Sequence, residues 1–529
     1  MLFNNLKHVA PFILILLISF LILFKGPYNA SNLDKVPDSA EYAFGGNTIA
    51  TEGFYTITVN GTKFPPRYPP WFSLLVIAPT YIIIGNEIGN AIFAITFFAI
   101  LGIAIAFLIG NKISGECGGI IAALGLLLIP NYYGLGRQIM TDVPCVSLIL
   151  VVFYLYLIMR PSTLSNNLNL YAIVGIIIGF CSALRPPCFS IILPFLIVAF
   201  SSERTRVSLA RSFYLLAPSI IFIGATIIYN YYTFNSIIRN GYNFWCPVPY
   251  DYFSLTFSTK YILPNLIQLL YSGIFGILMI MVAIFCLKRI KIFSQNVQHM
   301  KVPFKTVLEF MILGIGPLIV FYLLYFFPSN RFYLPFISLS VVIAGAMLGA
   351  IMHNTTKRYH VLFLFIILCF SLLFRVAISD NPPIKRIAVE RIISNTPLNS
   401  IIISSIDPVY LEYFICRQSN RLVVPISRSI EYAGKLISYH VIKNPVPAPK
   451  GWFDHRCAGL LNGGAMEIIP YVASERPEFI AERIKEGIPV FIDTSLEDKS
   501  EKEDLSSLLK RFEFTKKADQ LFQLNMKNQ

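Results

Sequence analysis

The sequence predicts a polytopic α-helical membrane protein with a small α/β domain at its C-terminal end. Of 529 residues, 55% are hydrophobic and only 14% are charged, and the mean hydropathy is +0.63. Apolar runs close to the roughly 17–25 residues that a bilayer core requires recur up to residue 378. After about residue 379 the chain becomes more polar, and short strand-like and helix-like stretches alternate.

Eleven apolar runs are predicted to span the membrane. The first follows Lys7 and His8 and shows no clear small-x-small cleavage site, which favours an uncleaved signal anchor. The run 71–84 is shorter than a span requires and contains Pro79, so we expect a juxtamembrane helix there. The predicted spans are 10–24, 90–110, 117–135, 144–159, 169–184, 188–200, 212–232, 264–287, 306–327, 332–351 and 359–378.

Loop charges predict the orientation of these spans. Lys and Arg are concentrated in the loops that follow 188–200, 264–287 and 332–351, and positive charge favours the cytoplasmic side. All of these basic loops lie on the cytoplasmic side if the N-terminus is cytoplasmic and 71–84 does not cross the membrane. The C-terminal tail is then expected on the outer face, periplasmic in a bacterial inner membrane.

The predicted organisation is a membrane body over residues 1–378 and a soluble α/β domain over residues 379–529. The body includes a first outer loop, 25–89, and an aromatic outer loop, 233–263. The tail shows strand-like stretches at 400–406, 421–427 and 488–494, and helix-like stretches at 474–487 and 500–512. Cys416 and Cys457 could pair in an oxidising compartment or remain free thiols.

Ionisable residues collect at the predicted outer ends of the spans. Such groups are costly at bilayer depth and usually mark a site, and both signs together suit an anionic lipid headgroup. The formal charge of +14 has no basic helix or aromatic-basic interleaving that would indicate nucleic acid, and the nine cysteines show no metal-ligand spacing. The residues concerned are Asp38, Glu41, Arg67, Arg137, Asp142, Arg185 and Arg331.

Each of these residues also has a structural interpretation. Asp38 and Glu41 resemble a capping box, and Asp142 could be the N-cap of the fourth span. Arg185 and Arg331 could extend from span ends toward the interface. The aromatic loop could form an interfacial belt instead of a sugar-binding surface.

The order of five motifs resembles a known family. They are PDSAEY (37–42), YPPW (68–71), R-x-x-x-T-D-x-P (137–144), LRPPCFSIILP (184–194) and NRFYLPFIS (330–338). The sequence is similar to the polytopic GT-C glycosyltransferases, in the branch akin to protein O-mannosyltransferases and bacterial aminoarabinose or lipopolysaccharide-sugar transferases. The resemblance covers roughly residues 1–380, and the tail TPLNSIIISSIDPVYLEYF resembles the outer domain of bacterial members.

The resemblance implies inverting transfer of a sugar from a polyprenyl-phosphate-linked donor to a lipid, glycan or protein acceptor at the outer face. Asp38 would be the general base, and Glu41 a second catalytic carboxylate. The donor phosphate would bind arginines, and no cofactor is expected, although a divalent metal is left open. The implied phosphate-binding residues are Arg185, Arg331, Arg137 and Arg67. Tyr42 and Tyr68 are implied to orient the acceptor, and Asp142 to orient the acceptor or an arginine, or to hold a divalent ion.

Two other classes of membrane protein agree less well with the sequence. A secondary transporter or lipid flippase predicts an inverted repeat and ionisable residues at span midpoints, whereas the charges here lie at span ends. An O-antigen polymerase or ligase also has outer-loop arginines, but its large outer loop lies late in the chain. The early acidic loop and the soluble tail favour the transferase.

Overall fold

The structure is a computed structural model of the chain, and its described residues fall into two compact units. Unit 1 comprises Met1–Tyr28, Ala91–Ile227 and Tyr261–Asp380, and unit 2 comprises Asn29–Asn90, Ile228–Lys260 and Asn381–Gln529. The residues described are 2–24, 26, 37–59, 62–160, 167–200, 205–245, 250, 253–271, 302–352, 384–406, 408–416, 420–426, 477–495 and 502–527.

Unit 1 is helical over its described residues, as long apolar runs require in lipid, where backbone groups must be satisfied within the segment. Residues 262–271 are also helical. The helices are α1 (Leu2–Leu23), α4 (Ile92–Ser114), α5 (Glu116–Leu127), α6 (Pro130–Leu135), α7 (Asp142–Met159), α8 (Leu168–Leu184), α9 (Ile192–Phe200), most of α10 (Thr205–Phe234), α13 (Phe304–Phe310), α14 (Gly316–Leu324) and α15 (Leu334–Met352).

Five described helical stretches are long and apolar enough to cross a membrane. They are Ile88–Ser114, Asp142–Met159, Thr205–Phe234, Phe304–Leu324 and Asn330–Ala350, and each overlaps a predicted span. Shorter apolar helices occupy the predicted spans 10–24, 117–135, 169–184 and 188–200. The predicted span 359–378 and residues 272–287 of another lie outside the described residues.

Two predicted spans are wrong as single helices. The run 117–135 is broken after α5, because Ile129 is extended and Pro130, which lacks a backbone N–H, begins the short helix α6. The run 188–200 begins as a tighter 3₁₀ segment, Pro186–Ile191, which follows an extended Arg185 before α9 starts. Both breaks coincide with prolines.

Small residues allow α4, α5 and α15 to pack closely in unit 1. A Cβ on Gly110 of α4 would lie 2.3 Å from the carbonyl oxygen of Gly118 on α5. A Cβ on Gly349 of α15 would lie 2.2 Å from the Cα of Gly118. Helix backbones approach this closely only where no side chain intervenes, which is the usual packing of membrane helices.

Unit 2 contains α2 (Pro37–Glu52), the β1–β2 hairpin (Ile57–Val59 and Thr62–Phe64) and the helical run 71–84. That run is a π-helical turn, Ser73–Ile77, followed by α3 (Ala78–Ile84). It buries Val76, Ile77 and Tyr81, and it exposes large apolar side chains at Leu74, Leu75, Ile82, Ile83 and Ile84. An exposed apolar face on so short a helix suits the predicted juxtamembrane position.

The described residues of the aromatic loop include the short helices α11 (Gly241–Trp245) and α12 (Phe253–Thr256) of unit 2. Gly241 lies against the backbone of the Arg67 loop, since a Cβ there would be 2.4 Å from the Arg67 carbonyl oxygen and 2.5 Å from that of Pro66. Only glycine fits this approach, so the start of α11 is seated directly on that loop.

The C-terminal segment of unit 2 forms a five-stranded sheet in the order β4-β3-β5-β7-β6. Strands β3 (Ile401–Ser404), β4 (Leu422–Pro425) and β5 (Val490–Asp493) are parallel, whereas β7 (Leu521–Met526) pairs antiparallel with β5 and with β6 (Phe512–Ala518). The described helices of the segment are α16 (Ile384–Asn395), α17 (Pro408–Leu411), α18 (Pro477–Lys485) and α19 (Lys502–Arg511).

The predicted α/β character of the tail is confirmed. All three predicted strands and both predicted helices are present, and β3 and β5 are buried throughout. The hairpin of β6 and β7 was not predicted. Cys416 ends a π-helical turn, Glu412–Cys416, and Cys457 lies outside the described residues, so their pairing stays a prediction.

Candidate functional site

Asp38 and Glu41 lie on one face of the first turns of α2. Their spacing of three residues places both carboxylates side by side, and a carboxylate in the first turn is favoured by the helix dipole. Both side chains are buried, with exposed fractions of 1% and 2%. Asp38 follows the first residue of the helix, so it lies inside the first turn and not at the N-cap that a capping box requires.

Arg67 joins the two carboxylates. Its Nη2 lies 3.1 Å from Asp38 Oδ1 and 2.7 Å from Glu41 Oε1, and its own side chain is 9% exposed. The backbone N–H of Arg67 also donates to Glu41 Oε2, at 3.2 Å. Glu41 therefore holds both ends of this arginine, and one guanidinium is shared by two buried acids.

Tyrosines cover this acid–arginine cluster. Tyr42 and Tyr68 stack with ring centroids 4.4 Å apart, and the Arg67 guanidinium lies 4.9 Å from the centre of the Tyr68 ring. Tyr242 of α11 meets Tyr68 edge-on at 5.5 Å. Burial raises the pKa of the Tyr68 hydroxyl well above its usual value, against the opposing effect of Arg67, so that hydroxyl stays protonated at neutral pH.

The loop that carries Arg67 is fixed from several sides. The Tyr55 hydroxyl donates to the Tyr68 carbonyl oxygen at 3.0 Å, and the Ser73 hydroxyl donates to the Tyr42 carbonyl oxygen at 3.1 Å. Gly45 of α2 leaves space for the Tyr55 ring, since a Cβ there would come within 2.4 Å of it. The cluster is therefore preorganised, with its parts held by the YPPW stretch and α2.

In unit 1, Asp142 forms an ion pair with Arg185. The N-cap of α7 is Thr141, which makes no side-chain capping bond, and Asp142 is the first helical residue, so the predicted alternative that Asp142 caps α7 is wrong. Its Oδ1 accepts from Nη2 of Arg185, at the break between α8 and the 3₁₀ segment. The Asp142 side chain is fully buried, and its Oδ2 has no hydrogen-bond partner among the residues that the structure describes.

Aromatic rings lie beside three arginines of unit 1, Arg185, Arg331 and Arg137. The guanidinium groups of Arg185 and Arg331 lie 5.8 Å and 5.5 Å from the centre of the same ring, that of Phe332. Arg137 donates to the Tyr133 hydroxyl at 2.8 Å and is 3% exposed. Two cations on one ring form a locally positive region that suits an anion.

The structure thus brings the predicted residues together in two groups. Asp38, Glu41, Arg67, Tyr42 and Tyr68 lie together in unit 2. In unit 1, Asp142 pairs with Arg185, and Arg185 shares the Phe332 ring with Arg331, while Arg137 is held by Tyr133. The sequence interpretation missed Tyr242, Tyr133 and Phe332. The NRFY motif contained a signal for Phe332, since an aromatic residue directly follows the arginine.

Within the described ranges, no three His, Cys, Asp or Glu side chains have an arrangement that could hold a metal ion. In unit 2, Arg67 places a positive charge beside the two carboxylates. The metal requirement of the chain stays a prediction.

Comparison with known proteins decides the fold. ArnT from Cupriavidus metallidurans bound to undecaprenyl phosphate is 11% identical, with 98% of each chain covered and a TM-score of 0.58. The Archaeoglobus fulgidus oligosaccharyltransferase tethered with an acceptor peptide is 13% identical, with 99% of this chain and 74% of that chain covered and a TM-score of 0.52. The chain has the GT-C fold. The predicted fold class is confirmed.

The family comparison supports the same relationship. Residues 67–229 match the family described as dolichyl-phosphate-mannose-protein mannosyltransferase, and this range includes Arg67, Arg137, Asp142 and Arg185. No curated protein matches the chain. The predicted resemblance to protein O-mannosyltransferases and ArnT is confirmed by this match together with the fold. The apolar helices and the shared fold make the chain an integral membrane protein.

Proposed function

We propose that this protein is a glycosyltransferase that moves a sugar from a polyprenyl-phosphate-linked donor to an acceptor at the outer face of the membrane. The observation that carries the proposal is the buried Asp38–Glu41–Arg67 cluster in a chain of GT-C fold. The ArnT structure holds undecaprenyl phosphate, and the archaeal oligosaccharyltransferase AglB has been seen with a dolichol-phosphate and an inhibitory peptide. A polyprenyl phosphate is the ligand that these two structures share, which supports a lipid-phosphate-linked donor for this chain.

Asp38 acts as the general base in the proposed reaction. It takes the proton of an acceptor hydroxyl while that oxygen bonds to the anomeric carbon, and the bond from that carbon to the phosphate oxygen breaks. The electron pair leaves with the lipid phosphate, and the configuration at the anomeric carbon is inverted. Arg67 favours the charged form of the base, and Glu41 positions Arg67 through the two contacts described above.

Arginines stabilise the leaving phosphate in the proposed reaction. Arg185 and Arg331 are the primary candidates, and Arg137 is a further one, because bidentate guanidinium groups match phosphate geometry. Asp142 orients Arg185 through their ion pair. Arg67, which the sequence suggested as a ligand of the donor phosphate, acts on Asp38 in this proposal, because its guanidinium contacts two carboxylates. The proposal includes no metal ion, because arginines can carry the phosphate charge.

The proposed location is the bacterial inner membrane, with the N-terminus cytoplasmic and the C-terminal domain periplasmic. The distribution of Lys and Arg among the loops supports this orientation. Acceptor-orienting roles are proposed for Tyr42 and Tyr68, which stack beside Asp38. The acceptor is a lipid, a glycan or a protein.

The experiment compares Asp38→Asn with wild type in native membranes, where the acceptor is present. Loss of radiolabelled sugar from polyprenyl-phosphate donors is measured. Glu52→Gln is the matched control, because Glu52 lies on the same helix in an ion pair at the surface with Lys63. We expect Asp38→Asn to lower the transfer rate at least a hundredfold, in the range of a lost general base. Full turnover by Asp38→Asn would remove the assignment of Asp38.

A further inference from the structure

Three buried cysteines cluster beside the Asp142–Arg185 ion pair. The Sγ atoms of Cys145 and Cys188 are 3.5 Å apart, and both side chains have no exposed surface. Cys181, also buried, lies within interaction range of Cys145. All three are free thiols in the structure. The proposed reaction uses none of them.

Each of the two thiols in contact lies three residues after one member of the ion pair. Cys145 follows Asp142 by three residues on α7, and Cys188 follows Arg185 by three residues in the 3₁₀ segment. The contact therefore lies about one helical turn from the ion pair, between the same two elements. Because the charged pair already holds these elements together, the thiols are kept in register.

We propose that Cys145 and Cys188 are an oxidation site, at which an intramolecular disulfide forms. The sulfurs must approach from 3.5 Å to about 2.05 Å, a movement that side-chain rotation can supply. The orientation proposed above places both cysteines at outer span ends, next to the compartment where disulfides persist. The site does not depend on sugar transfer.

The chemistry is thiol–disulfide exchange with a disulfide of the outer compartment, either on a protein or on a small molecule. Because neither side chain has exposed surface, the exchange occurs when the segment after α8 opens locally. The thiolate of one cysteine attacks the donor disulfide and forms a mixed disulfide, and one donor thiol leaves. The second cysteine then attacks the mixed disulfide and releases the other donor thiol. Two protons and two electrons pass from Cys145 and Cys188 to the donor. The product ties the start of α7 to the segment after α8.

The test uses full-length variants in native membranes that keep two cysteines each, with the other seven of the nine replaced by serine. One variant keeps Cys145 and Cys188, and the matched control keeps Cys181 and Cys188. After treatment with oxidised glutathione and quenching in acid, the denatured chains are alkylated with maleimide-polyethylene glycol, with and without reductant. Intact mass spectrometry separates an internal disulfide, lighter by two hydrogens, from glutathione adducts.

We expect the Cys145/Cys188 variant to gain no polyethylene glycol before reduction and two after it, with the mass of an internal disulfide. Its oxidation should be at least tenfold faster than that of the Cys181/Cys188 control. Two adducts before reduction, glutathione adducts in place of the internal bond, or an equal rate for the Cys181/Cys188 control would overturn the proposal. A wild-type chain isolated from cells, digested and analysed for the linked peptides, must show the same bond.

Discussion

Replacing Arg67 with methionine is the substitution for which the structure gives the sharpest expectation. Methionine keeps the unbranched chain and removes the guanidinium, which contacts Asp38 at 3.1 Å and Glu41 at 2.7 Å. Breaking a buried ion pair by removing one partner costs about 3–5 kcal/mol. Since two buried carboxylates share this one cation, we expect a loss near the upper end, about 5 kcal/mol.

The same geometry predicts smaller losses for the partners. Asp38→Asn and Glu41→Gln each leave one carboxylate on Arg67, and the loss of a single charged hydrogen bond costs about 1.5–3 kcal/mol. Asp38→Asn should therefore lower the transfer rate at least a hundredfold while the protein stays folded. Arg67→Met should lose transfer activity and also destabilise the protein. The exposed pair of Lys63 and Glu52 provides the control, and Lys63→Met should change stability by about 0–1 kcal/mol.

The assay is denaturation of the detergent-solubilised full-length protein, with unfolding free energies compared across these variants. The double variant Arg67→Met/Glu41→Gln completes a mutant cycle that isolates the coupling between the two side chains. A loss below about 1 kcal/mol for Arg67→Met, equal to that of the Lys63 control, would refute the buried shared ion pair. A coupling of zero between Arg67 and Glu41 would refute the positioning role of Glu41.

Two further predictions concern the same region. Burial raises the pKa of Tyr68 above its unfolded value of 10.0, so above pH 10 unfolding is accompanied by release of the Tyr68 proton. The free energy of unfolding should therefore fall above pH 10 by up to about 1.4 kcal/mol per pH unit. In alkaline denaturation followed by tyrosinate absorbance, Tyr68→Phe should reduce the number of protons released on unfolding by one. An unchanged number of released protons would contradict the prediction. Gly241→Ala should destabilise the protein by about 1–3 kcal/mol, because the new Cβ would meet the fixed carbonyl of Arg67 at 2.4 Å. Gly224→Ala, where the Cβ meets nothing within 4 Å, is the control in the same thermal melts.

The sequence predicted those elements whose signals are local. Long apolar runs gave the membrane helices, and three short runs of β-branched residues gave β3, β4 and β5. The hairpin of β6 and β7 escaped prediction because β6 is an edge strand that carries Glu513, Lys516 and Lys517, so its exposed side chains conceal the alternation.

The candidate residues could be found from the sequence, whereas their partners could not. Asp38 and Glu41 were predicted from their place in the first outer loop, and their shared helix face follows from their spacing. Nothing local indicated that Arg67, 26 residues after Glu41, turns both its backbone N–H and its guanidinium to these acids. From the sequence, Arg67 was predicted to bind the donor phosphate, because the sequence shows that an arginine is charged but not which carboxylates it pairs with.

The sequence by itself determined that the chain is a membrane protein, where its long apolar segments lie, and which charged residues interrupt its apolar composition. These properties depend on hydropathy and on spacing along one chain. The tertiary structure decided that Asp38, Glu41 and Arg67 form one buried cluster, and that Asp142 belongs to Arg185 and does not cap α7. Buried charges must find counter-charges, and folding alone determines which distant residue supplies each one.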